Sequence, residues 1–367
     1  MANISGNQTT SSSVSYVETE IADSLLIYGS AIIIILGTIG NILAIIVFSA
    51  RPVSSKPTSI LMRLLAIFDT LVLYTGLLRY WILATWKYDI RSYSLTTCLV
   101  HTYLLYVFVT ISVWILVTVT IHRLIVVVVP LKAKTMLTMK SLFITMLALL
   151  IFSLTLNLHM LWTVEWHDRR CMPQKSFWWD HVWPKIDLCI NALIPFVVLM
   201  LCNAVIIWKV HESAKKVTKS SSGVTTKSRL NSMTAMLISV NFVFLICNLP
   251  LTVYNLDIFK PNTDHQNAID WLIWAILNLL MYTNNAANFY IYSISGPRFR
   301  GELISLFTCR EDSKSTNPSL TDMSTKRNSS NKQHHQSNMN LVDNNYGSIK
   351  SGSVEGVDNS GICDTYM

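Results

Sequence analysis

The chain has 367 residues, of which 51% are hydrophobic and only 14% are charged. Because a soluble domain carries about a quarter charged residues, this composition indicates a protein whose surface largely faces lipid. The formal charge of +8 falls in short runs between apolar stretches, which is typical of membrane orientation and argues against a nucleic-acid-binding patch. The seven cysteines form no CxxC pair, which excludes a zinc ribbon or a thioredoxin-type motif.

Seven apolar stretches follow a polar N-terminal segment, and each is near the roughly 20 residues that a helix needs to cross a bilayer core. They predict an all-α membrane protein, a seven-transmembrane helix bundle over residues 24–295. The absence of an internal repeat weighs against the inverted-repeat transporter folds. The predicted spans are residues 24–49, 59–85, 97–129, 140–163, 186–208, 231–256 and 269–293.

The basic residues of the connections predict the orientation of the bundle. The first, third and fifth connections carry twelve Lys and Arg, whereas the even-numbered connections carry seven and residues 1–23 carry none. Positive charge favours the cytoplasmic side, so the N-terminus is predicted outside and the first span is expected to act as a signal anchor. Residues 1–23 are then an extracellular tail, glycosylated at Asn3 and Asn7.

The segment after the seventh span is basic and amphipathic. Residues 296–309 are predicted to form a juxtamembrane helix along the inner membrane face, with Phe299, Leu303, Leu306 and Phe307 turned towards lipid. Cys309 follows as a candidate palmitoylation site. Residues 310–367 are rich in Ser, Asn, Asp and Lys and are predicted to be a disordered cytoplasmic tail.

Several polar side chains lie inside the predicted spans. An ionisable residue at membrane depth is costly and is therefore a functional hypothesis by default. The alternative is a structural hydrogen-bond network that holds the helices together. The residues concerned are Asn41, Asp69, Ser112, Asn284 and Asn288.

In chain order, these residues and their neighbours resemble the rhodopsin-like (class A) G-protein-coupled receptors over residues 24–309. No single motif is specific, but their joint order across six helices is. The matching motifs are Gly40-Asn41, Leu65-Ala66-x-x-Asp69, Cys98, His122-Arg123-Leu124 with Pro130-Leu131, Pro195, Phe244 with Cys247-x-x-Pro250, Asn288-Phe289-x-x-Tyr292, and Phe299.

The resemblance implies roles for particular residues. An oxygen-lined pocket with one carboxylate suits a weakly held sodium ion, and no other cofactor is expected. Cys98 is expected to pair with Cys171 in the second outer loop, an oxidising location. The implied sodium ligands are Asp69, Ser112, Asn284 and Asn288. The implied G-protein-coupling residues are His122, Arg123, Leu124, Pro130 and Leu131. The implied switch residues are Val113, Pro195, Phe244, Asn248, Pro250, Asn288 and Tyr292.

Three parts of this switching machinery depart from the family pattern. The acidic residue before the arginine is His122 here, and the family's tyrosine after it is Leu124. Because neutral imidazole offers an uncharged acceptor, which restrains a guanidinium only weakly, and its charged form repels one, we predict raised basal signalling unless another acceptor restrains the arginine. The alternative is that His122 is solvated at the loop edge. The other departures are Asn248 for tryptophan, Phe289 for proline and Asn203 for tyrosine.

The residues facing outward bear on the ligand. Leu105 stands where amine receptors carry an aspartate, and Tyr282 stands where opsins carry the retinal lysine, so both ligand classes are excluded. The second outer loop mixes charges with Trp178 and Trp179, although an interfacial aromatic belt explains part of that content. Arg79 could donate hydrogen bonds to a carboxylate or carbonyl of the ligand.

Residues 157–162 and the Asn-Phe pattern of the seventh span are similar to invertebrate neuropeptide receptors, including FMRFamide-type ones. An extracellular peptide ligand is therefore predicted. A lipid or other small ligand, a constitutively active orphan receptor, and a seven-span channel or transporter remain alternatives. An enzyme is not expected, because the spans hold no metal cluster or nucleophile–base pair.

The resemblance also implies partners and a location, namely the plasma membrane and a heterotrimeric G protein. The Ser/Thr runs of the tail are expected to be phosphorylated by a receptor kinase and to recruit arrestin. The final Thr365-Tyr366-Met367 fits a PDZ ligand that adds a strand to a sheet edge. Membrane lipid is a further partner, and no nucleic acid is expected.

Overall fold

The computed structural model of the protein describes residues 16–50, 56–174, 176–217, 224–256, 263–295 and 297–308. Eight helices carry labels in the following text, and each of the seven predicted spans falls on one of the first seven. α5 begins at Trp178 and ends at Val217. The other seven are α1 (Val17–Ser49), α2 (Pro57–Trp86), α3 (Leu95–Val128), α4 (Met139–Thr163), α6 (Val224–Tyr254), α7 (Asp264–Ser295) and α8 (Pro297–Thr308).

Helix α5 differs most from its predicted span, since it begins eight residues earlier and ends nine residues later. Helix α1 also begins early. The helix begins at Val17, seven residues before the first predicted span. Glu18 and Glu20 lie in its first turn, where carboxylates favour the positive end of the helix dipole. Glu18 also pairs with His265 of α7 at 3.1 Å, which continues the contact between these two helices beyond the apolar stretch.

Five helices, α1 to α5, are long and apolar enough to cross a membrane by length and composition. α6 contributes a shorter apolar stretch, Ile238–Tyr254. α7 carries four buried asparagines that lower its hydropathy, Asn278, Asn284, Asn285 and Asn288. The described helices therefore fit a seven-transmembrane bundle in which the polar groups of α7 face the interior.

The packing places α3 at the centre of the bundle. α3 contacts α2, α4 and α5, while α7 contacts α1, α2 and α6. One apolar core joins α3 to the inner halves of α1, α2, α6 and α7, and a second joins the other ends of α1, α2 and α7. In line with the predicted orientation, the end that holds the Cys98–Cys171 disulfide is called the outer end.

The outer connection between α4 and α5 forms a hairpin. Its strands, β1 (Val164–His167) and β2 (Arg170–Pro173), pair antiparallel, with Trp166 opposite Cys171. Asp168 and Arg169 make the turn and both adopt positive φ. This hairpin was not predicted, and it holds Cys171 over the outer end of α3.

Helix α5 contains two π-helical turns, and the second lies directly before Pro195. This turn spans Cys189–Leu193, and the regular α-helix Ile194–Val217 follows it. Pro195 has no N–H and cannot donate to the carbonyl of Asn191 four residues earlier. The local widening of the helix is consistent with that missing hydrogen bond.

Helix α8 is joined to α7 by side chains on both sides of the junction. Phe299 is 6% exposed and packs edge-on against Tyr292 and Phe289. Arg300 donates to the carbonyls of Ser293 and Ile294 at 3.2 and 2.6 Å, which satisfies acceptors at the end of α7 that lack helical partners.

Phe299 and the partly buried Leu303 thus form the inward face of α8, packed against the bundle core rather than turned to lipid. The side chains of Leu306 and Phe307 lie outside the described part of the structure. The same holds for Asn3, Asn7, Cys309 and residues 310–367.

Candidate functional site

Asp69 of α2 lies at the centre of a buried polar cluster between α2, α3 and α7. Ser112 Oγ and Asn285 Nδ2 donate to its Oδ1 at 2.5 and 2.8 Å, and Asn288 Nδ2 donates to its Oδ2 at 2.7 Å. Asp69 is fully buried. Three of the four implied sodium ligands are therefore brought together, and Asn285 takes the place expected for Asn284.

Asn41 of α1 extends this cluster to a fourth helix. Its Nδ2 donates to the backbone carbonyl of Asn285 at 3.2 Å. The preceding Gly40 allows the approach, because a Cβ at Gly40 would lie 3.1 Å from Phe289 Cβ and 3.2 Å from Tyr290 Cε2. The Gly-Asn pair thus sets the spacing of α1 and α7 and orients Asn285 towards Asp69.

The inner end of α7 packs through aromatic rings. Tyr292 is 2% exposed, and its hydroxyl donates to the sulfur of Met62 in α2 at 3.4 Å. Its ring meets Phe48 of α1 edge-on at 5.8 Å. With Phe299, these residues form one contiguous cluster that connects α7 to α1, α2 and α8.

The inner end of α3 presents the predicted coupling residues. His122 is 6% exposed, so the alternative of a solvated histidine at the loop edge is wrong. Arg123 and Leu124 are partly buried. A short helix, Pro130–Met136, follows α3 and begins with Pro130, and Leu131 in its first turn is 92% exposed. His122 therefore faces the bundle, whereas Leu131 faces outward.

Two contacts hold α6 at the level of the switch residues. Phe244 is 1% exposed and belongs to the same apolar core as Val113 of α3, and Pro195 of α5 is buried. Nearer the inner end, Asn241 Nδ2 donates to Thr120 Oγ1 of α3 at 3.4 Å. This polar link from α6 to α3 lies one turn from Arg123.

Asn248, which replaces the family's tryptophan, turns back to its own helix. Its Nδ2 donates to the carbonyl of Phe244 at 2.9 Å, while Thr252 Oγ1 donates to the carbonyl of Asn248 at 3.1 Å. Pro250 lies between them inside the helix and removes one backbone hydrogen bond. These side-chain bonds therefore support the backbone where the proline weakens it.

At the outer end, Cys98 and Cys171 form the predicted disulfide. It lies in a small apolar cluster with Met160, Val164 and Trp183, against which Trp179 packs. Trp178, 39% exposed, contacts the His159 ring at 5.6 Å. The two tryptophans predicted to meet the ligand thus lie in the first turn of α5 and pack beside the disulfide cluster.

Arg79, predicted to meet the ligand, is instead committed to an intramolecular ion pair. Its Nε and Nη2 donate to both carboxylate oxygens of Asp89 at 2.9 and 2.6 Å. Its guanidinium also lies 4.7 Å from the Tyr80 ring centroid. Arg91 contacts the same carboxylate and donates to the carbonyl of Cys171 at 3.4 Å. The first and second outer loops are therefore joined through Asp89.

The family comparison decides which protein class this site belongs to. A family model described as 7 transmembrane receptor (rhodopsin family) matches residues 40–292. The chain belongs to the rhodopsin family of seven-transmembrane receptors. The predicted family is therefore confirmed, and with it a multi-pass plasma-membrane receptor rather than an enzyme.

One curated relative indicates which members the receptor is similar to. It is the FMRFamide receptor of Drosophila melanogaster, 27% identical over 307 residues, which cover 76% of this chain and 53% of that protein. The receptor thus spans about half the length of the curated relative that it matches.

The Arg79–Asp89 pair of this rhodopsin-family receptor gives a testable pH dependence. Burial alone would raise the pKa of Asp89, but the hydrogen bonds and charge of Arg79, together with Arg91, hold it well below its usual range. Because the folded pKa is depressed, the stabilisation is complete above the unfolded value of about 3.9 and is lost only as pH falls through the lower folded value.

We therefore expect Asp89→Asn to leave the buried Arg79 unpaired and to lower the free energy of unfolding by about 3 kcal/mol. The difference in unfolding temperature between wild type and variant should be the same at about pH 8 and about pH 5. Asp168→Asn is the control, because the Asp168 side chain is 83% exposed. A difference that disappears at the lower pH would contradict the assignment.

Tyr282 of the receptor is 2% exposed and closely packed. A Cβ at Gly76 of α2 would lie 2.1 Å from its hydroxyl, so only glycine allows this packing. Tyr80 lies between Tyr282 and Arg79, 6.4 Å from the Tyr282 ring. Leu105 is partly buried on α3. Of the predicted ligand residues, Arg79 and Tyr282 lie near Tyr80, whereas Trp178 and Trp179 lie near the disulfide.

The receptor also has a cavity of about 210 Å³ at the outer ends of α1, α2 and α7. Tyr80, Lys87 and Trp271 line it together with Asp23 of α1. Lys87 Nζ donates to Asp23 at 2.7 Å, and Trp271 Nε1 donates to the same carboxylate at 3.3 Å. This site was not predicted, because its acid lies in the segment assigned to the extracellular tail.

Proposed function

We propose that this receptor is activated by an extracellular neuropeptide and signals through a heterotrimeric G protein by outward movement of α6. The similarity to the FMRFamide receptor carries the peptide assignment. The wide outer face supports it, because two separate groups of aromatic and charged side chains suit an extended ligand. A lipid or other small ligand is the alternative.

The movement of α6 requires particular contacts to break. The Asn241–Thr120 hydrogen bond joins α6 to α3 near the inner end, and its length of 3.4 Å marks it as weak. Pro250 gives α6 a point where one backbone hydrogen bond is missing. The inner part of α6 can thus move about this point once the ligand favours the open state.

The inner face that opens would then meet the G protein. Leu131 is 92% exposed at the start of its short helix, so its side chain is accessible to a protein partner at the position for which the family resemblance implies a G-protein contact. Arg123 lies at the same end of α3. We therefore assign Arg123 and Leu131 to the G-protein contact, with Pro130 setting the start of the helix that presents Leu131.

Sodium is proposed as a modulator of the resting state. The Asp69 carboxylate and the Ser112 hydroxyl supply oxygens, the ligands that a hard cation prefers. Asn285 and Asn288 turn their amide nitrogens to the carboxylate, and rotation of each amide would present its oxygen to the ion. Asp69, Ser112, Asn285 and Asn288 would hold the ion, which supplies positive charge beside the buried carboxylate. Added sodium should lower agonist affinity in wild type and leave it unchanged in Asp69→Asn, with potassium as the control salt.

His122→Asp should lower basal signalling. A carboxylate next to Arg123 offers a charged acceptor that imidazole does not, and this favours the resting arrangement of α3. If the new carboxylate and Arg123 stabilise the resting state by about 1.4 kcal/mol, basal output falls roughly tenfold. Basal nucleotide exchange at equal surface density measures this, and His122→Asn is the matched neutral control. Unchanged output in His122→Asp would contradict the prediction.

A peptide screen tests the proposed function. Cells that express the receptor with a promiscuous G protein are exposed to a panel of amidated peptides that includes FMRFamide, and calcium is recorded. A calcium response that is lost in Arg123→Ala at equal surface density supports the proposal. Response to a lipid panel alone would favour the small-ligand alternative, and a response that survives Arg123→Ala would favour a channel.

A further inference from the structure

Helix α5 carries an acidic side chain, Asp187, in its outer half, where the residues on either side along the helix face are buried. Asn191 Nδ2 donates to Asp187 Oδ1 at 2.8 Å. In the part of the chain that the structure describes, Asp187 forms no salt bridge. Asp187 is the second residue of the predicted fifth span and so lies near its outer end. Among the described residues its hydrogen-bond donor is the neutral amide of Asn191, and a carboxylate in such surroundings lacks the cation that would normally compensate it.

Asn191 adds a second acceptor with no partner. It is 5% exposed, and its Oδ1 has no hydrogen-bond partner among the described residues. The orientation of the amide follows from its neighbour, because only the NH₂ end can donate to a carboxylate. A buried oxygen without a donor is unusual in a folded protein and points to a ligand or an ordered water.

These two acceptors lie next to aromatic rings. Trp183, one turn before Asp187, is 4% exposed and meets Tyr106 of α3 edge-on at 5.9 Å. The π-helical turn Cys189–Leu193, which contains Asn191, contacts both α3 and α6. The stripe Trp183–Asp187–Asn191 therefore faces the interior of the bundle, below the hairpin of the second outer loop.

A structural role alone explains only part of this arrangement. It explains the hydrogen bond from Asn191 to Asp187, since such pairs join turns of a membrane helix. It does not explain an uncompensated carboxylate beside a second buried acceptor. Both acceptors would be satisfied by one cation that carries several N–H groups.

We propose that Asp187 and Asn191 form a subsite for a guanidinium group of the ligand. A guanidinium has five donors in one plane, enough for two hydrogen bonds to the carboxylate and one to the amide oxygen. The rings of Tyr106 and Trp183 offer faces to the same cation. An ammonium matches the charge but not the planar set of donors. The peptide source of the guanidinium rests on the proposed function, whereas the subsite itself does not.

The first test compares two peptides on two receptors. FMRFamide and its analogue with citrulline in place of arginine differ by one charge at nearly constant shape. On wild type, citrulline should reduce potency roughly 10- to 100-fold. On Asp187→Asn, the two peptides should become nearly equal. Asp23→Asn, at the Lys87 pair on α1, should keep the full ratio, and Asn191→Leu should reduce it in part.

An unchanged ratio in Asp187→Asn would overturn the subsite. Where FMRFamide activates no receptor, the proposed function fails for that peptide and a second test decides. Millimolar arginine amide should raise the unfolding temperature of purified wild type and not of Asp187→Asn, with citrulline amide as the control and lysine amide expected to act more weakly. Equal effects on both receptors, or none on wild type, would likewise overturn the subsite.

Discussion

Replacing Asp69 with leucine should destabilise the receptor. Asp69 accepts hydrogen bonds from Ser112, Asn285 and Asn288, and leucine fills a similar volume without an acceptor. Three buried donors then lose their partner. The free energy of unfolding should fall by about 2 to 5 kcal/mol. The lower figure uses the hydrogen-bond energies measured between membrane helices, and the higher one uses the penalty of unsatisfied buried groups.

The purified receptor allows a direct measurement with its own cysteines. Cys202 and Cys247 are buried and free, whereas Cys189 is exposed. In a receptor with Cys309→Ser and Cys363→Ser, a thiol-reactive dye therefore reports unfolding through the two buried sulfurs, and Cys189 contributes the baseline. Asp69→Asn, which keeps one acceptor and the shape, should lie between wild type and Asp69→Leu. Equal unfolding temperatures for Asp69→Leu and wild type would contradict the role of the cluster.

Removing the disulfide should have a comparable effect that is concentrated on the outer face. The bond joins residues separated by 73 positions, and the chain-entropy relation for a loop of this length gives about 4 kcal/mol. It also fixes the β1–β2 hairpin against α3. The double variant Cys98→Ser/Cys171→Ser should therefore lose most surface receptor and most agonist affinity.

Cys189→Ser is the matched control, since it removes an exposed and unpaired sulfur. Surface density and agonist binding of the three receptors are measured on the same cells. Agonist affinity that survives in the double variant would show that the loop holds its position without the covalent bond. Asn191 and Asp187 lie close to this loop, so the double variant should also change the potency ratio of FMRFamide and its citrulline analogue.

The sequence predicted the helices well because membrane spans follow from composition. Every helix that crosses a bilayer must bury its backbone polar groups and expose apolar side chains, so hydropathy and length indicate α1 to α5 directly, whereas α6 and α7 give weaker apolar stretches. The start of α1 could not be placed this way. Glu18 and Glu20 are polar and look like tail, and only their contacts with the helix terminus and with His265 keep them helical.

The residue that completes the polar cluster was less predictable. Asn284 and Asn285 both lie about one turn before Asn288, so spacing alone does not decide which one meets Asp69. The choice depends on the rotation of α7. Asn41 and Gly40 of α1 are part of what sets this rotation, since they bring the carbonyl of Asn285 against α1.

Partners across loops were the weakest part of the prediction. Arg79 was assigned to the ligand because nothing in the linear sequence shows that the first outer loop returns Asp89 to its side chain. Asn241 and Thr120 form their link across 121 positions, which no periodicity reveals. Asp187 is different, because an acid inside the predicted fifth span was visible in the sequence and was the signal that could have marked it.

The most direct measurement is nucleotide exchange with purified components. The receptor is placed in lipid nanodiscs with a heterotrimeric G protein, and uptake of a GTP analogue is followed with and without FMRFamide and the other amidated peptides. We predict that a peptide accelerates nucleotide uptake with the wild-type receptor. It should not do so with Arg123→Ala, once the variant has been shown to bind the peptide with the same affinity. No acceleration by any peptide on any G-protein subtype, or equal acceleration on Arg123→Ala, would contradict a peptide-activated, G-protein-coupled receptor.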